Sequence, residues 1–71
     1  MDPQATLNTL LTSDDRDEIE GSAQALYDWI RRGGFRPRAE NTRGEPLPEN
    51  WAMGVGGIVF RRLGDGTIGV D

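Results

Sequence analysis

The sequence predicts an α+β fold: a two-helix antiparallel hairpin, a long polar loop and a C-terminal β-hairpin, all in one small domain. Three observations carry this reading. Apolar residues recur at helical spacing as far as residue 32, prolines and polar side chains fill about residues 36–50, and β-branched residues flank a Gly-Asp-Gly turn near the end.

The first element opens on a start signal. Asp2 is an N-cap residue type, and Pro3 at the first helical position forfeits no hydrogen bond. Leu7, Leu10 and Leu11 then form one stripe, which predicts a short helix over about residues 3–11. A second helix is predicted over about residues 14–32. Thr12 or Ser13 supplies its cap, and Asp14, Asp15, Asp17 and Glu18 crowd the first turns, where they complement the positive helix end. Ile19, Ala23, Leu26 and Ile30 make its apolar stripe, and Gly21 weakens it by about 1 kcal/mol relative to alanine.

"WIRRGGFRPR", residues 29–38, ends this helix. The expected ending is a Schellman motif with Gly34 left-handed at C′, Ile30 meeting Phe35, and Pro37 preventing continuation. The polar loop that follows is long for so small a domain, so it is expected to wrap the helices or meet a partner. Ile58-Val59-Phe60 and "TIGV", either side of "LGDG", predict the β-hairpin over about residues 56–70. "GVGG" just before it reads as a flexible or bulged strand entry. It matches no phosphate-binding loop and precedes a strand rather than a helix.

Composition narrows function. The chain has 71 residues, 35% of them hydrophobic, with neither cysteine nor histidine. The commonest general base, the best nucleophile and the usual zinc ligands are therefore missing, so no enzyme activity, cofactor or metal is expected. The acidic run "DDRDE" lacks the spacing and central glycine of a calcium loop. A single core in a chain of this size rarely supplies more than about 3–5 kcal/mol. Burial against another chain, including a second copy, is a natural supplement.

The most apolar window, "WAMGVGGIVF", is far short of the roughly 20 residues that span a bilayer. The start "MDPQATLNTL" lacks the basic and apolar regions of a signal peptide, so a cytoplasmic protein without membrane attachment is expected. Net charge is −4, unfavourable for nucleic acid, but it is unevenly spread. Residues 1–30 hold seven acids against Arg16, and residues 31–62 hold seven arginines against Glu40, Glu45 and Glu49.

Asp2-Pro3 with Ala5-Thr6-Leu7, then Ala25-Leu26, Trp29-Ile30, Gly33-Gly34-Phe35 and Pro37, resemble a pattern in short uncharacterised open-reading-frame products of bacteria and their phages. The resemblance covers residues 2–37. It implies two helices and a phage or mobile-element context, and it carries no activity or site residues with it.

The expected function is a small, non-enzymatic accessory module that docks on a protein partner. Trp51 and Phe60 on the C-terminal hairpin, the arginines Arg31, Arg32, Arg36 and Arg38, and the acids Asp14, Asp15, Asp17 and Glu18 are the candidate contacts. Each large aromatic suits the core better than a contact in a chain so short of apolar bulk. If one is exposed, the expected one is Trp51, between polar loop and glycine-rich strand. One alternative is a phage-encoded inhibitor that uses the acidic helix face, Glu20 included, in place of phosphates. The other is weak RNA or DNA binding by the four arginines.

Overall fold

A computed structural model describes all residues, 1–71. Helix α1 spans Pro3–Thr12 and helix α2 spans Arg16–Arg31. Strands β1 (Ala52–Val55), β2 (Ile58–Arg62) and β3 (Ile68–Val70) form an antiparallel meander in the order β1-β2-β3. The fold is α+β, with the helical hairpin packed on one face of the sheet. No helix is long and apolar enough to cross a membrane.

The α1 start follows the sequence signal. The Asp2 carboxylate accepts from the backbone N–H of Gln4 at 3.0 Å and of Ala5 at 3.2 Å, with Pro3 at the first position. Helix α2 starts later than expected, because Asp15 rather than Ser13 or Thr12 caps it. The Asp15 carboxylate accepts from Asp17 N–H at 3.0 Å and from Glu18 N–H at 3.5 Å. Ser13 Oγ instead accepts from Asp15 N–H at 3.1 Å, which holds Ser13–Asp15 as the turn between the helices.

The far end of α2 is a Schellman motif, set one residue earlier than expected. Gly33, at φ +86°, takes the left-handed position. Its N–H donates to Ile30 O at 3.1 Å, and Gly34 N–H donates to Trp29 O at 3.0 Å. Trp29, not Ile30, therefore lies at the C3 position and faces Phe35.

The polar loop is pinned rather than loose. The Gln4 side chain accepts from Arg38 N–H at 2.9 Å and donates to Arg38 O at 3.3 Å. Asn41 closes a tight turn by accepting from Arg43 N–H at 2.9 Å and Glu45 N–H at 3.0 Å. Leu47 N–H donates to Ala39 O at 2.8 Å, and both side chains join the core. The loop does wrap the helices, as its length suggested.

The sheet has one strand more than the expected hairpin. Gly56 (φ +57°) and Gly57 (φ +82°) are both left-handed, the requirement of a two-residue type I′ turn. Only Gly56-Gly57 of "GVGG" is the hairpin turn; Gly54 and Val55 belong to β1, which pairs with β2, with Val55 opposite Ile58 and Met53 opposite Phe60. The expected turn at "LGDG" is present: Leu63 N–H donates to Thr67 O at 2.8 Å, and Gly66 (φ +83°) takes the left-handed place.

Leu7, Leu10, Ala23, Leu26, Ala39, Leu47, Phe60 and Ile68 make the core, drawn from both helices, the loop and the sheet. Phe60 is fully buried at its centre, so it is not a partner contact. Strand alternation decides this: Phe60 shares the inward face with Met53 and Val70, its neighbours across the ladder.

Candidate docking surface at the carboxyl end of α2

Phe35 is the most exposed large apolar side chain in the molecule, with 70% of its surface open to solvent. The expected aromatic was Trp51, but Trp51 is half-buried and packs on the core. Phe35 is nevertheless held in place. The Trp29 indole N–H donates to Phe35 O at 2.8 Å, and the two rings meet edge to face with centroids 5.6 Å apart. The indole lies so close over Gly34 that a β-carbon there would sit 2.6 Å from its ring. The glycine pair thus has two tasks: Gly33 supplies the left-handed turn, and Gly34 supplies room for the indole.

The same indole walls a surface groove of about 350 Å³, together with Met1, Ala25, Asp28 and Arg32. Met1, 59% exposed, and Phe35 therefore border one tryptophan. Single exposed apolar residues are ordinary on a surface; an ordered aromatic beside a groove of mixed apolar and charged lining is the form of a binding anchor.

Of the four arginines, Arg32 and Arg36 adjoin this anchor, and Arg31 and Arg38 are engaged elsewhere. Arg31 stands 5.2 Å over the Tyr27 ring and donates to its hydroxyl at 3.0 Å, which limits its freedom. Arg32 caps the helix and lines the groove. Arg36 is exposed beside Phe35 and lends positive charge to Asp65. The Asp65 carboxyl is held below its ordinary value mainly by the Thr67 hydroxyl and then by the Thr67 N–H, with Arg36 as a smaller cause. Arg38 belongs less to the group: its backbone is clamped by Gln4 and its side chain lies 3.7 Å from Glu40.

The expected acids stand elsewhere. Asp14, Asp15, Asp17 and Glu18 are all exposed at the opposite end of α2, roughly 20 Å from Arg31 at the helical rise. Asp15 is occupied as the cap, and Glu20 pairs with Arg16 at 3.6 Å. Acids and arginines are thus two separate poles. Sequence reasoning found the arginines and gave Phe35 a packing task. The adjacency of tryptophan, double glycine and phenylalanine was visible, but the register of the helix end was not.

β1 is an open edge. Met53 and Val55 turn their backbone groups toward β2, as does the Trp51 carbonyl, which accepts from Arg62 N–H at 3.1 Å, so the backbone groups of Ala52 and Gly54 point outward and have no partner. The opposite edge is covered where β3 begins, since Ile68 N–H donates to Pro37 O and Ala39 N–H to Gly66 O, each at 3.1 Å. Comparisons with known proteins add no relative: no family model, curated protein or solved structure matches this chain.

Proposed function

We infer that this chain is a small, non-enzymatic accessory module that acts in the cytoplasm by docking on a protein partner through Phe35. One observation carries the reading. An aromatic ring that is 70% exposed is nonetheless oriented by an indole and a reserved glycine, so little conformational freedom is lost when a partner covers it. Arg32 in the groove wall and Arg36 next to Phe35 supply positive charge at its rim, which supports a protein surface bearing carboxylates around an apolar pocket.

The test is affinity capture from host lysate, treated with nuclease, using wild type and Phe35→Ser side by side. The expected result is a partner retained by wild type and reduced at least about tenfold by the variant, the loss of one anchor residue. Equal capture by both proteins overturns the reading. Capture that disappears with nuclease treatment also overturns it, in favour of direct nucleic-acid binding.

A further inference from the structure

The open β1 edge carries an inference independent of Phe35, with which it shares no residue. Natural sheets blunt their edges with lysines, prolines, bulges or a covering segment. This molecule covers the start of β3 with Pro37–Ala39, yet leaves β1 with none of these devices. β1 reads Ala-Met-Gly-Val: no charge, no proline, and an unbroken register with β2 from Ala52 opposite Arg61 to Val55 opposite Ile58. Ala52 and Gly54 are exposed and too small to shield the outward N–H and C=O groups.

We propose that β1 pairs antiparallel with β1 of a second copy of this chain, about a two-fold axis at Met53, joining two meanders into one continuous sheet. The backbone fits this register. Ala52 faces Gly54 of the other copy and Gly54 faces Ala52, and each such pair exchanges two hydrogen bonds. The side chains fit it as well. Trp51, Met53 and Val55 lie on the inward face at this edge, and all three are only half-buried. The axis sets Trp51 against Val55 of the other copy, an aromatic on a β-branched residue, and Met53 against Met53.

A second copy is the occupant because of what β1 lacks. A foreign strand is selected by charges or side-chain pockets, and this edge offers neither. A two-fold axis sets equivalent groups against one another, so a charged strand would oppose its own charges there, whereas an uncharged one opposes none. The nearest charges, Arg61 and Arg62, sit on β2, one strand back from the axis, and Arg61 pairs with Asp71.

The test combines sedimentation of the full chain across concentration with amide exchange read residue by residue. A concentration-dependent dimer is expected, in which the Ala52 and Gly54 amides exchange at least about tenfold more slowly than in dilute samples. Gly54→Pro removes an outward N–H that the monomer does not use, so the sheet persists while the dimer is lost. Phe35→Ser should remain dimeric, which separates this surface from the docking surface above. A wild-type chain that stays monomeric up to about 1 mM overturns the proposal. So does a dimer whose Ala52 and Gly54 amides stay unprotected, a measurement that stands whether or not the proline variant folds.

Discussion

At the scale of single residues, the end of α2 is decided by two glycines with different tasks. Gly33 is needed for its backbone angle, because a β-carbon at φ +86° is strained in any L-residue, although nothing lies within 4 Å of that site. Gly34 has no such angle, and its constraint is the indole above it. A methyl group placed 2.6 Å from the ring must displace Trp29, which breaks its hydrogen bond to Phe35 O and releases both rings. Gly34→Ala should therefore cost about 1–3 kcal/mol of stability, the range for overpacking. It should also weaken partner capture as Phe35→Ser does, though the phenylalanine remains. Urea unfolding measures the first effect and capture the second. If capture is unchanged, the orientation of Phe35 contributes nothing to docking.

At the scale of elements, what was legible followed from local rules, and what was missed depended on distant contacts. Asp2-Pro3 fixed the start of α1 because the cap and the proline act within a few residues of one another. The start of α2 was ambiguous, since Thr12, Ser13, Asp14 and Asp15 are all cap types, and sequence order does not rank them. The structure selects Asp15, and the selection is measurable. Asp15→Ala should lose about 1 kcal/mol through the orphaned N–H groups of Asp17 and Glu18. Asp14→Ala, exposed and without a hydrogen bond, should stay within about 0.5 kcal/mol of wild type. Chemical denaturation of the two variants distinguishes them, and a reversed order would place the cap at Asp14. Strand β1 was missed for another reason. Gly54, Gly56, Gly57 and Gly69 read as weakness in a strand, yet Gly56-Gly57 is the pair a type I′ turn requires, flanked by the alternating Met53, Val55, Ile58 and Phe60. The loop's anchorage by Gln4 was not legible at all, because nothing local marks a glutamine that will meet a backbone 34 residues away.

At the scale of the whole molecule, the two phenylalanines exchange the roles that sequence suggested. Phe60 was expected among the contacts and Phe35 against the helix end; Phe60 is fully buried and Phe35 is 70% exposed. Each is followed directly by an arginine, and Gly33-Gly34 before Phe35 made a helix-end packing task plausible, so only the assembled fold assigns the two roles. Their energetic consequences differ widely. Removing a buried phenyl ring costs about 3–5 kcal/mol, from lost burial and the cavity left behind. A single core in a chain this short supplies about the same amount. Phe60 also belongs to a cluster of only eight buried side chains, drawn from both helices, the loop and the sheet. Phe60→Ala should accordingly abolish the cooperative transition and leave the chain largely unfolded at 25 °C. Phe35→Ala gives up one edge-to-face contact, worth about 0.5–1.5 kcal/mol, and should keep its far-UV circular dichroism and a slightly lower unfolding midpoint. Thermal melts of the two variants at one concentration make the comparison. A folded Phe60→Ala would mean that the eight-residue core is not what holds this molecule together, and that a partner or a second copy does.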